Sequence, residues 1–461
     1  MAVLDTSSSE VRVPRYEERI EMGRALREKV LRQAHADFRV SSKDRDPISI
    51  LEESNQGRIS DLIPIRFGRM LADPFAFLRG SAALMAYDLS RTPVSGIHVQ
   101  ASGDCHLANF GLFATPERNL VFDLNDFDET LPAPWEWDIK RLAASVVVAG
   151  RSCGISDSSC EKAVFTLAET YRTRLRKYAK MRVLDVWYSR LDDSTLIQAA
   201  PDADAREHRK RVAAKARASV TEYLFPKLTI EKDGRRHIVD NPPLIFHMSE
   251  QSDGKERLMR LEAEYQKTLP THLVKLFEHY HFEDYAFKVV GVGSVGTRCY
   301  VILYLAESDD PLLLQVKEAR SSVLEAYAGK SKFGHHGQRI VIGQRLMQSA
   351  SDMFLGWMTG SDGTHYYVRQ LRDMKYSAQL DNLDAQKLSR FAEVCGWALA
   401  RAHAKGGDAA MISGYLGKSD AFVKALTKFS LAYADQTERD YDTLNKSVKS
   451  GRVQAVLPDK N

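Results

Sequence analysis

The chain has 461 residues, 44% of them hydrophobic and 27% charged, with a formal net charge of +4. That length is too great for one ordinary core and suits two or three domains, and so small a charge gives composition no case for nucleic acid. The five cysteines (Cys105, Cys153, Cys160, Cys299 and Cys395) are scattered with no C-x-x-C pair, which argues against a disulfide framework or a structural zinc site and for a reducing compartment.

The chain opens on a polar Ser run with no apolar h-region, and its longest apolar runs, such as Leu142–Ala149, are far too short for a bilayer. A cytoplasmic protein with neither signal peptide nor membrane contact is therefore expected. Residues 1–45 read as a loosely held arm with one helix around Glu17–Ala36. Residues 48–92 read as helices broken at Pro64, Pro74 and Pro93. Arg66, Arg69 and Arg79 cluster there, either as solvated faces or as phosphate or substrate contacts, because arginine can fork two oxygens at once.

Residues 97–101 read as a short strand leading into Ser102-Gly103-Asp104-Cys105-His106-Leu107-Ala108-Asn109. Phe110–Ala114 and Leu120–Leu124 read as a hairpin turned by Thr115–Asn119, with Pro116 setting φ. The Asp104 loop should then lie beside the acidic stretch Asp123–Glu129. Such a set suits phosphate chemistry: a carboxylate to orient or deprotonate a hydroxyl, and an amide oxygen with a carboxylate to hold Mg²⁺.

A helix is predicted from Trp135 to about Gly150, with Trp135 and Trp137 in the core. The basic residues 205–217 suit a solvated helix. Leu228–Val239 suits a hairpin turned at Asp233-Gly234. Composition changes near residue 284. Gly291-Val292-Gly293-Ser294-Val295-Gly296 separates two apolar runs, Phe287–Val290 and Cys299–Leu305. The residues after Gly296 stay strand-like, so the glycines belong to a strand-turn-strand, the arrangement of the flap over ATP phosphates in kinases, and not to a Rossmann turn. Leu312–Val316 is another strand, and it ends at Lys317, the place of a phosphate-binding lysine. Glu325 is the candidate carboxylate partner of Lys317, with Glu318 and residues 338–344 competing. Strands at Met353–Trp357 and Tyr366–Leu371 and a periodic helix over Asp384–Ala404 complete the pattern.

Gly103-Asp104-x-His106-x-x-Asn109 resembles the catalytic loop of the aminoglycoside-phosphotransferase and choline-kinase branch of kinase-like folds. The resemblance implies Asp104 as base or orienter, His106 as loop organiser, Asn109 and Asp123 as Mg²⁺ ligands, and Asp138 as a brace for the loop. Asp126 or Asp128 is a further candidate ligand, Asp126 being the one assigned, while both read equally as solvated loop acids. The order of parts differs from a kinase, since the glycine flap follows the catalytic loop. An α+β, two-lobed, protein-kinase-like fold is expected, circularly permuted between helix 384–404 and the Asp104 loop. The backbone at Gln370, Leu371 and Arg372 would then be the hinge that meets adenine. The chain also resembles domain of unknown function 2252, a mainly bacterial family, through residues 74–80, 103–111, 116–118, 123–130, 135–142 and 315–319.

The corresponding division is 1–95, an N-terminal helical arm and extension; 96–283, the catalytic-loop hairpin and a helical large-lobe region; 284–373, a small nucleotide-binding lobe; and 374–461, C-terminal helices completing the large lobe. The expected function is Mg²⁺–ATP-dependent phosphotransfer to the hydroxyl of a small molecule or a protein. A non-catalytic nucleotide sensor, an AMP transferase and, less favoured, a metallophosphoesterase are the alternatives.

Overall fold

A computed structural model describes residues 14–39, 45–219, 221–247, 254–371, 374–378 and 380–457. The fold is mixed α+β, mainly helical, with several separate antiparallel sheets. The largest sheet has six strands in the order Gly356–Thr359, His365–Gln370, Pro311–Glu318, Cys299–Leu305, His281–Lys288 and Ile245–Phe246. Its central strands read as continuous apolar runs because both faces are covered. Ile302, Tyr304, Leu312 and Leu314 pack against Tyr265, Leu273 and Phe277 on one side. Val301, Leu303, Leu305 and Leu313 pack against Phe225 and Ile238 on the other.

Helices and two small sheets form the other half. Strand His98–Ala101 pairs with Leu131–Pro134. The hairpin Phe110–Ala114 with Leu120–Leu124 is extended by Tyr376–Ser377. They rest on one large core to which the buried helix Trp135–Ser152 and the helices Asp157–Ala179, Ala385–Gly406 and Ala421–Lys449 contribute. Trp135 is fully buried, stacked on Tyr171 with ring centroids 5.9 Å apart. The basic helix Ala203–Arg217 has a mainly exposed surface. The hairpin Thr229–Lys232 with Arg235–Ile238 turns at Asp233-Gly234, both with positive φ.

Three expectations need correction. The N-terminal helix ends at Lys29, and Arg32–Ala36 is a separate 3₁₀ turn. Nor is the described part of this arm loosely held: Arg27 donates to the carbonyls of Tyr415 and Gly414, Arg32 to that of Leu416, and His35 bonds Tyr415 Oη at 2.7 Å. The strand expected at Met353–Trp357 starts only at Gly356, because Asp352 turns the chain: its side chain accepts from Phe354 N and its carbonyl from Leu355 N.

Two connections position the site. Val99 and Gly407 face each other across an isolated antiparallel bridge, so the helix Ala385–Gly406 ends beside the strand that feeds the Asp104 loop. Arg339, in helix His336–Met347, donates to the carbonyls of Asp128, Thr130 and Arg320 and ties the six-stranded sheet's helix to the acidic segment.

Candidate active site

The Asp104 loop is shaped from beneath. Asp138, in the first turn of helix Trp135–Ser152, accepts from Ser102 N at 2.7 Å and Gly103 N at 3.0 Å. His403 Nε2 donates to the same carboxylate at 3.2 Å, while Tyr171 Oη lies 2.7 Å from His403 Nδ1. Gly103 has φ +81°, and a Cβ there would come within 2.3 Å of the Glu129 carbonyl oxygen, so both conformation and space demand glycine.

Arg141 Nε donates to Asp104 Oδ1 at 2.6 Å, and its Nη2 donates to the Leu78 carbonyl at 2.9 Å. Burial pushes the Asp104 carboxyl above the ordinary aspartate range, with the Arg141 charge and hydrogen bond pulling against it. His106 Nε2 lies 3.6 Å from Asp104 Oδ2. Burial, then the charges of Arg141 and Arg79, hold this imidazole neutral. Asn109 Nδ2 donates to the Asp104 carbonyl at 2.7 Å, which leaves its side-chain oxygen available as a ligand.

Asp123 does not reach the cleft. It pairs with Gly111 in the hairpin, but strand alternation turns its carboxylate inward. There it is fully buried, bonded to Arg401 Nη2 at 2.9 and 3.0 Å and to Ser349 N at 2.8 Å. The expectation that Asp123 holds Mg²⁺ in the cleft is thereby corrected; beyond the strand, where the chain leaves the pairing, Asp126 and Asp128 both line the cleft.

The flap and the lysine strand meet these acids. Strand His281–Lys288 runs into a 3₁₀ turn at Val292–Ser294, and strand Cys299–Leu305 leads back out. Lys317, opposite Tyr367 in the sheet, is 3% exposed. Its Nζ donates to Asp128 Oδ2 and lies 3.8 Å from Asp126 Oδ2. Tyr367 Oη donates to Asp128 Oδ1 at 2.9 Å and Ser294 Oγ to Asp128 Oδ2 at 3.1 Å. Burial alone raises the Asp128 carboxyl, but Lys317 and Tyr367 outweigh it and leave the group below its usual range. Asp126 is pushed up by burial and by the Asp128 charge, while Lys317 and Arg369 oppose. Burial opposes the Lys317 ammonium, yet the two carboxylates raise its pKa above the ordinary lysine value.

Glu325 lines the cleft but is not the partner of Lys317. Its Oε1 accepts from Ser322 N at 3.4 Å and lies 4.0 Å from Arg339 Nε; the short helix Glu325–Ala328 does not bring it to the amine. Gln370 N donates to Asp352, and Leu371 N donates to the Leu313 carbonyl at 2.8 Å. Both line a neighbouring cavity that shares Val290, Gly291, Gln315 and Arg369 with the main cleft. Arg372 lies outside the described residues.

The three N-terminal arginines separate. Arg66 is buried, donating to Asn55 Oδ1 and the Gly80 carbonyl, both at 2.6 Å. Arg69 donates to the Val290 carbonyl at 2.6 Å and lines the neighbouring cavity. Arg79 lines the cleft itself. Residues that sequence reasoning missed include Arg58, whose Nη atoms donate to the carbonyls of Val295 (2.7 Å) and Gly293 (3.0 Å), and Ile59, whose N donates to Gly296 O at 2.8 Å. Val292 and Val295 are buried with residues from 48–84 and 62, respectively, so the extension clamps the flap. No sequence signal marks Arg58. Tyr367 and Arg369 alternate with core residues on a predicted strand, and that parity could have flagged them.

The cleft has a volume of about 580 Å³ and gathers Asp104, His106, Asn109, Asp126, Asp128, Gly291, Gly293, Ser294 and Lys317. Among the described residues no group of three or more His, Cys, Asp or Glu is arranged to hold a metal ion. Mg²⁺ does not need such a cage: it commonly takes one or two protein oxygens and completes its shell with water and phosphate. Asn109 and Asp126, whose side chain is 35% exposed, fit that requirement. No helix among the described residues is long and apolar enough to cross a membrane.

No curated protein and no solved structure matches the chain. One family model does, over residues 58–447, and it carries the description of an uncharacterized protein conserved in bacteria. Its span takes in the loop, the acidic segment, the flap and the lysine strand together, and the chain therefore belongs to the DUF2252 family.

Proposed function

We propose that this chain is a Mg²⁺–ATP-dependent phosphotransferase with a hydroxyl acceptor, on a two-lobed, kinase-like and circularly permuted scaffold. The observation that carries the reading is the single cleft in which Asp104, Asn109 and Asp126 face the glycine flap and Lys317, parts nearly 200 residues apart in the chain. The lysine sits on the strand after the two that flank the flap, as in protein kinases. The bridge between Val99 and Gly407 supports the permutation, because it brings the end of helix Ala385–Gly406 next to the strand that starts the Asp104 loop.

In this reading the flap backbone and Lys317 cradle the phosphates. Asn109 and Asp126 would hold a Mg²⁺ ion, which when bound would supply positive charge to offset that of the phosphates. Arg141 occupies Asp104 Oδ1 and leaves Oδ2 for the acceptor hydroxyl. The acceptor oxygen bonds to the γ-phosphorus as the bond to the β,γ-bridging oxygen breaks. Its proton passes to Asp104, and ADP leaves with the electron pair. Little covalent work falls to the protein, so positioning and electrostatics dominate.

Thermal-shift titration with ATP and Mg²⁺, followed by transfer from labelled ATP to a metabolite mixture, tests the reading. ATP should raise the melting temperature in a Mg²⁺-dependent way, and Asp104→Ala should keep that shift while losing transfer. A wild-type protein indifferent to nucleotides would refute it.

A further inference from the structure

Arg79 ends the helix Pro74–Gly80, whose start is capped by Asp73 accepting from Ala76 N at 2.8 Å. It stands between the two halves of the site. A Cβ built on Gly293 would lie 3.2 Å from the Arg79 carbonyl oxygen, and one built on Gly291 would lie 4.0 Å from Arg79 Nη2. On the other side its charge acts on both Asp104 and His106.

Its guanidinium is uncommitted. Nε is buried without a hydrogen-bond partner, and among the described residues no hydrogen bond or ion pair reaches the group. Phe75 is the nearby ring, 6.0 Å from Cζ to the centroid. The other cleft arginines are engaged: Arg58 with Gly293 and Val295, Arg66 with Asn55 and Gly80, Arg320 with Ser54 and Gln56, Arg369 with Gln315 and Asn125. A partly desolvated guanidinium without an acceptor is costly in an empty cleft and favourable once an anion arrives. Its position is also fixed relative to Asp104. Arg141 holds the Asp104 carboxylate and the carbonyl of Leu78, the residue before Arg79, with one guanidinium.

We propose that Arg79 is a catalytic arginine supplied in cis, whose fork grips equatorial oxygens of the γ-phosphoryl group during transfer. The inference rests on the phosphotransferase reading and deepens it. As the acceptor oxygen–phosphorus bond forms and the phosphorus–bridging oxygen bond breaks, charge spreads over the three equatorial oxygens. Arg79 donates to that charge, Asp104 accepts the hydroxyl proton, and ADP departs with the bonding pair. Lys317 remains with the ground-state phosphates and Asp128.

The test is calorimetric titration of wild type, Arg79→Gln and Arg79→Lys with Mg²⁺–ADP, alone and with aluminium fluoride as a mimic of the transferring group. Wild type should bind the fluoroaluminate complex at least ~10-fold tighter than ADP, Arg79→Gln should bind ADP like wild type yet lose that gain, and turnover should fall on the order of 10³-fold. Arg79→Lys, a point charge in place of a fork, should recover only part of the gain. It carries the test alone should the Gln variant not fold. Arg79 is overturned in this role by a variant that keeps the full gain, by equal loss of ADP and fluoroaluminate affinity, or by a wild type that binds ADP without any gain. A wild type that binds no ADP overturns the phosphotransferase reading as well.

Discussion

Lys317 and Asp128 form an ion pair across 189 residues of chain, one of the contacts that join the six-stranded sheet to the acidic segment. The same carboxylate also takes hydrogen bonds from Tyr367 and Ser294. Removing one partner of such a pair leaves the other uncompensated, whereas removing both need not. Lys317→Met should therefore cost about 3–5 kcal/mol of unfolding free energy. The double variant Lys317→Met/Asp128→Asn should cost clearly less than the sum of the singles. Denaturant unfolding of the four proteins in a double-mutant cycle measures this; strict additivity would deny the coupling.

Asp123 and Asp126 lie three residues apart and should behave in opposite ways. Asp123→Ala strands the buried Arg401 and should destabilise by about 3–5 kcal/mol. Asp126→Asn relieves repulsion from Asp128 and should be neutral or stabilising without ligand, while abolishing Mg²⁺-dependent ATP affinity. The raised carboxyl of Asp126 sets the sign of its own linkage: its contribution is greatest below the ordinary aspartate range and is lost as pH climbs through the raised value. The pH dependence of the wild-type unfolding free energy should thus flatten in that window in Asp126→Asn.

Asp104 must be ionised to take a proton, and burial raises its pKa. The acid limb of kcat/KM should therefore lie above the ordinary aspartate value of about 3.9. Arg141 lowers the Asp104 pKa, so Arg141→Gln should move the limb to still higher pH. A pH–rate profile in which Arg141→Gln shifts the limb downward would contradict this assignment.

Gly103→Ala should damage the loop more than its size suggests. The substitution forces a side chain onto φ +81° and against the Glu129 carbonyl. A destabilisation of about 1–3 kcal/mol is expected from the backbone conformation alone. Transfer activity should fall more than nucleotide binding, since the loop holds Asp104 and not the flap. Melting temperature and an ATP titration separate the two effects.

What the sequence made legible was local. The hairpin Phe110–Leu124, the turn Asp233-Gly234, the glycine flap and the strand ending near Lys317 all announce themselves by alternation, turn residues or apolar runs. The loop brace Asp138, some 35 residues beyond Ser102 and Gly103, was assigned through the kinase-like resemblance and not through local pattern. What escaped were pairings over long separations. Strand parity makes Asp123 point away from the cleft, but nothing local names Arg401, 278 residues on, as the charge that holds it there. Glu325 was the candidate on the helix-like stretch after Lys317, yet the amine turns to Asp128, which local sequence left open between a metal ligand and a solvated loop acid. The clamp of Arg58 on the flap rests on main-chain carbonyls, which leave no trace in side-chain patterns.

The bridge between Val99 and Gly407 also bears on how the protein is made. Two outlying supports are delivered late: Arg401 for Asp123 and His403 for Asp138 both lie on helix Ala385–Gly406. A ribosome that has released Asp104 into solution has nearly three hundred codons still to read before those partners emerge. A polypeptide that stops short of that helix carries the cleft acids and Arg141 but lacks the partners of Asp123 and Asp138, so on the phosphotransferase reading it should not turn over nucleotide.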